Sequence, residues 1–119
     1  MSDRAAPVSR SSAPHYTWAN ACDGWRLIDT PGLTVVEERV PPGAEEMRHY
    51  HNEARQFFYV LEGMACFEIE GQLVEVDKGQ GLQIEAGVPH CIHNRTAGVL
   101  GFLLCSEPST SGDRINCTT

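Results

Sequence analysis

Apolar and polar residues alternate with a period of two along Ala65-Cys66-Phe67-Glu68-Ile69-Glu70. An extended chain of this pattern turns Ala65, Phe67 and Ile69 to one face and Glu68 and Glu70 to the other. Short runs rich in β-branched, aromatic and aliphatic residues recur at 33–40, 57–61, 73–76, 82–84, 90–94 and 99–105. Turn signals separate them: Thr30-Pro31-Gly32, Pro41-Pro42-Gly43, Glu62-Gly63, Glu70-Gly71, Asp77-Lys78-Gly79, Ala86-Gly87 and Ala97-Gly98. No window of ten residues carries a helical stripe. Many short strands at close spacing predict an all-β sandwich or barrel. Runs 57–61 and 99–105 are apolar on both faces, so one face is expected to fill the barrel. The other is expected to meet a second sheet or a second subunit.

The two ends lack this pattern. Residues 1–21 hold Pro7, Pro14 and several Ala and Ser, and they read as a flexible tail whose only sticky side chains are His15, Tyr16 and Trp18. Residues 107–119 read as a second tail, with Pro108 and Gly112 ending the last strand. The barrel domain is expected over residues 22–106. A chain of 119 residues suits one domain with a real core and no need for stapling bonds.

Charge and cysteine usage remove several function classes. Nine Lys and Arg against sixteen Asp and Glu leave a net charge of −7, the wrong sign for nucleic-acid binding. The first twenty residues contain no apolar run of the secretory kind, and nothing approaches a membrane span. The five cysteines are odd in number, widely spaced and never in a CxxC pair, which argues against a disulfide framework and a thiolate zinc site. A cytoplasmic domain with reduced thiols is the expectation.

The histidines carry the chemistry. His49 and His51 are two apart, so in an extended segment both rings point to one face, about 7 Å apart at the backbone. Gln56 heads the next apolar run, and His90 begins another after Gly87-Val88-Pro89. Three imidazoles and an oxygen donor converging inside a barrel suit a divalent first-row metal. His93 and Cys91 fall on the opposite face from His90, and Tyr50 points away from its two neighbours. Phe58 and Val60 share the face of Gln56 and are expected to wall a pocket. Glu53, Arg55 and Glu85 read as solvated.

Gly43-(five residues)-His49-Tyr50-His51-(four)-Gln56-(six)-Gly63 resembles the first motif of the cupin superfamily, with Gln56 where the family normally carries Glu. Gly79-(five)-Glu85-Ala86-Gly87-(two)-His90-(three)-Asn94 resembles the second motif, with Glu85 in place of the usual Pro. Two motifs in the right order imply a small jelly-roll barrel, the double-stranded β-helix. The resemblance implies one divalent ion, of Fe, Mn, Ni, Co or Zn, on His49, His51, Gln56 and His90.

Gln56 offers a neutral amide oxygen where a carboxylate would add charge. A fully neutral donor set binds the ion less tightly, leaves it a stronger Lewis acid and disfavours a 3+ state. Three readings follow. The first is a Lewis-acid isomerase acting on a small oxygenated molecule such as a sugar acid, and the ligand pattern is similar to cupins that linearise unsaturated uronates. The second is a ferrous three-His dioxygenase. The third is a metal- or ligand-binding module without turnover. No catalytic base is assignable from sequence. The expected partners are a small molecule and a second copy of the chain in a homodimer.

Overall fold

The computed structural model describes residues 6–117. Eleven strands and no helix occur among them: β1 His15–Trp18, β2 Cys22–Asp29, β3 Thr34–Val40, β4 His49–His51, β5 Arg55–Glu62, β6 Met64–Ile69, β7 Gln72–Asp77, β8 Gly81–Ile84, β9 His90–His93, β10 Leu100–Glu107 and β11 Arg114–Asn116. They form two antiparallel sheets, ordered β1-β2-β3-β10-β5-β8 and β11-β4-β9-β6-β7. This is the all-β, jelly-roll architecture that the two motifs imply.

The period-two pattern explains which face each strand buries. β3 alternates buried and half-buried residues along its whole length, and β5 buries Gln56, Phe58 and Val60 while leaving Arg55, Phe57 and Tyr59 exposed. Phe58 packs edge-on to Phe67 at 4.9 Å between ring centroids and lies 5.5 Å from Phe102, joining the two sheets across the core. Val40, Val60, Ala65, Ile92 and Leu100 complete that layer, all essentially inaccessible. Burial of this apolar surface, at roughly 25 cal/mol per Å², is the force that closes one sheet on the other.

The sheets reach beyond residues 22–106 at both ends. β1 lies in the segment expected as a tail and pairs with β2 in register from His15↔Trp25 to Trp18↔Cys22. The pairing depends on Gly24: a Cβ there would sit 2.2 Å from the Tyr16 ring, so the aromatic side chain occupies the space a larger residue would claim. Upstream, Arg10 reaches Glu37 at 3.4 Å and stacks over Trp25. Residues 1–5 of the expected tail lie outside the described part. At the other end β11 pairs with β4, setting Arg114 opposite His51 and Asn116 opposite His49. Both additions are short polar strands on sheet edges, where periodicity has little apolar signal to carry.

Candidate metal centre

β4 and β9 lie side by side with His49 opposite His90, and alternation turns His49, His51 and His90 inward between the sheets. Ring centroids are 4.5 Å apart for His49–His90, 5.1 Å for His49–His51 and 6.3 Å for His51–His90. Gln56 enters from β5 in the facing sheet and is equally buried. All four residues expected as ligands are therefore buried on inward faces. His93 lies on the outer face of β9, as alternation requires.

Hydrogen bonds orient these side chains. His49 Nδ1 donates to the Met47 carbonyl at 2.9 Å and His90 Nδ1 to the Val88 carbonyl at 2.9 Å, which turns each Nε2 away as a free lone pair. Gln56 Nε2 donates to Ser106 Oγ at 3.1 Å, so its amide oxygen is the end left free. Gln56 Oε1 and His90 Nε2 are both buried without a hydrogen-bond partner. Orphaned acceptors of this kind are costly unless something electropositive meets them. The donors present thus fit a divalent cation. His51 Nδ1 is likewise buried without a hydrogen-bond partner, and the nearest carboxylate oxygen, Asp113 Oδ2, stands 3.7 Å away, beyond hydrogen-bond reach.

Electrostatics favour the ligating form. Burial pushes His49 down to about 3 and His51 to about 4, and depresses His90 as well, against the opposing pull of the Met47 and Val88 carbonyls on their rings. Nearby positive charge on Arg114 adds to the depression. The rings are neutral at neutral pH, and metal binding has no proton to displace from them.

Several polar side chains beside this group were not apparent from sequence. Glu46, His49 and His90 present ligand atoms within 4.8 Å of one another, a candidate metal-ligand cluster that brings a carboxylate into reach. Glu46 lies 3.6 Å from Arg114, and burial raises its carboxyl to about 8. Glu38 accepts a hydrogen bond from the Tyr16 hydroxyl, and burial raises it to about 7 despite that bond and the Arg26 and Arg114 charges. Asp113 anchors the 52–54 turn, accepting from the Glu53 and Ala54 amides at 2.9 and 3.0 Å. One signal for Glu38 was available, since β3 alternation places it on the same face as Val36 and Val40. Glu46, Asp113 and Arg114 sit in loops or on a three-residue edge strand, without a pattern to read. Glu53, Arg55 and Glu85 are exposed as expected, with Arg55 paired to Glu107 at 2.7 Å.

A cavity of about 620 Å³ opens on this group. Its wall includes His49, His51 and Gln56, the Tyr16–Glu38 and Glu46–Arg114 pairs, and the apolar rings of Phe58, Phe102 and Trp18. That volume and mixture suit a drug-sized organic molecule.

A family model described as a cupin domain matches residues 36–105. The chain belongs to the cupin family. This cupin is 32% identical over 78 residues to an uncharacterized protein of Methanocaldococcus jannaschii, a match covering 66% of this chain and 62% of the relative. It is 25% identical over 95 residues to the tetracenomycin polyketide synthase protein TcmJ of Streptomyces glaucescens, covering 76% of this chain and 64% of TcmJ. The matches thus cover less than two thirds of either relative. Among solved structures it is similar in fold to the polyketide cyclase RemF of Streptomyces resistomycificus. The TM-score is 0.84 at 22% identity, covering 98% of this chain and 87% of RemF.

Proposed function

We propose that this cupin is a metal-dependent catalyst of carbonyl chemistry on a small oxygenated molecule, in which isomerisation or ring closure begins with removal of a proton next to a carbonyl. The observation that carries the reading is the pair of buried, unpartnered donors, Gln56 Oε1 and His90 Nε2, beside a cavity that also holds a carboxylate tuned near neutrality. A divalent ion held by His49, His51, His90 and the Gln56 amide oxygen would supply Lewis acidity to the substrate carbonyl.

The chain's own groups provide the proton transfer. Glu38 is the base: its Oε2 is held by the Tyr16 hydroxyl, its Oε1 remains to take the proton, and burial raises its pKa to about 7. Glu46, whose carboxyl burial raises to about 8 in the metal-free chain, stands beside the same cavity and serves as the acid. Two carboxyls with unequal environments divide the acid and base roles. Phe58, Phe102 and Trp18 provide apolar wall that strengthens these interactions by excluding water.

Similarity to TcmJ and the fold likeness to RemF favour a polycarbonyl substrate over the sugar acid first expected. The Glu38–Tyr16 pair supplies the proton transfer with which isomerisation or ring closure begins, and on that support this reading ranks above a ferrous dioxygenase. The test uses the full chain reconstituted with Zn, Ni, Co, Mn or Fe and a poly-β-carbonyl probe in deuterated water. Exchange of the carbon-bound protons is expected with the wild type, and Glu38→Gln should slow it about 100-fold or more. Oxygen consumption without exchange would replace this reading with the dioxygenase, and failure to retain any metal would remove the site itself.

A further inference from the structure

The outer face of β9 carries a second group of donors, back to back with the first. Alternation along His90-Cys91-Ile92-His93 sends His90 and Ile92 inward and Cys91 and His93 outward. Glu68 on β6 is the direct cross-strand partner of Cys91, so it joins them on that face. Cys91 Sγ lies 3.3 Å from His93 Nε2 and 3.6 Å from Glu68 Oε1. The three ligand atoms all fall within 4.8 Å of one another.

We propose that Cys91, His93 and Glu68 form a second metal site, for a divalent ion of the zinc class, on the outer face of the five-stranded sheet. Bonds of about 2.3 Å to sulfur and about 2.0 Å to nitrogen or oxygen, opened at the tetrahedral angle, separate donors by about 3.5 Å. The sulfur's spacings to its two neighbours bracket that value. The second nitrogen of the His93 ring is already engaged, because Nδ1 meets Glu45 Oε2 at 2.6 Å. That bond fixes the tautomer and leaves Nε2 as a lone pair aimed at the sulfur, the support that ligating histidines characteristically have. The pairing is built into the backbone too, since Glu45 and His93 form an isolated β-bridge. The absence of CxxC excludes a turn-built thiolate site, whereas a Cys-x-His pair on one strand face needs no turn.

Burial and the Glu68 carboxylate push the Cys91 thiol up to about 12 in the metal-free chain. The ion has to displace that proton to solvent, after which thiolate and Glu68 carboxylate balance the 2+ charge around a neutral imidazole. Three protein donors leave the fourth position to water. The Glu45 side chain is 66% exposed, which leaves an approach from solvent. The ion would tie β6, β9 and the 41–48 segment together, directly behind Glu46 of the inner cavity.

The test is a Cd(II) titration of the full-length, reduced, chelator-stripped chain, followed by sulfur-to-metal charge-transfer absorption. None of the inner candidates carries sulfur, and the part of the band lost in Cys91→Ser separates the outer site from the other free thiols, Cys22, Cys66, Cys105 and Cys117. Two equivalents and a saturating band are expected. Cys91→Ser should remove that part of the band and one equivalent, and His49→Ala should remove the other equivalent and keep the band. Because Cys91 is buried, Glu45→Gln and His93→Gln on the more accessible side serve as further variants. The first should weaken the band-forming affinity about 10- to 100-fold and the second at least as much. No band in the wild type, a band undiminished in Cys91→Ser, or unchanged affinity in both glutamine variants would overturn the site.

Discussion

Gln56 and Glu38 decide most of the chemistry at the scale of single residues. Gln56→Glu places a charge where the amide oxygen stands, with nearly the same shape. Metal affinity should rise while the ion weakens as a Lewis acid, so exchange on the carbonyl probe should fall as the metal is held more tightly. Competition with a chelator measures the first effect, and unchanged affinity would show that Gln56 is no ligand. Glu38 gives a pH dependence with a definite sign. From its ordinary value of 4.5 up to about 7, the folded chain holds a proton there that the unfolded chain has released. Stability due to this group therefore falls as pH rises through that window, and the loss is complete above it. Glu38→Gln removes the titration while keeping an acceptor for Tyr16. In thermal denaturation of metal-free protein, the variant's Tm advantage should be larger at about pH 8 than at about pH 5. An equal difference at both would assign the effect elsewhere.

At the scale of elements, tight turns and short edge strands hold these residues in place. Gly63, between β5 and β6, has φ of +77°, and a Cβ there would come 2.6 Å from the Val99 carbonyl oxygen. Both strain and contact oppose a side chain, so Gly63→Ala should cost more than about 1 kcal/mol in chemical denaturation. Gly71 has a similar φ of +85° with open space around it, so Gly71→Ala should cost less. The long apolar strands were legible in the sequence to within a few residues, because a half-buried strand must alternate. β1 and β11 were not. They are held by edge pairing, by Tyr16 filling the space over Gly24, and by Arg114 reaching Glu46, none of which leaves a period in the chain.

For the whole molecule, the doubly apolar β5 leaves a face unspent. Phe57, Tyr59 and Leu61 are each 37–42% exposed on the outside of the six-stranded sheet, where no second sheet among the described residues covers them. A homodimer through this face is the expected outcome, with light scattering near twice 13.1 kDa at micromolar concentration. Tyr59→Lys should shift that mass toward the monomer, and a wild-type monomer would count against the pairing. The all-β architecture, the core faces of the main strands and the inward set of His49, His51, Gln56 and His90 were already legible in the chain. These follow from alternation and from motif spacing, both local properties of the chain. Folding sets which amide end of Gln56 is free, brings Glu38 to Tyr16 and Glu46 to Arg114, and makes Glu45, His93, Cys91 and Glu68 converge outside. Those arrangements join residues from different strands, and their energies depend on burial and on distances that no single segment encodes.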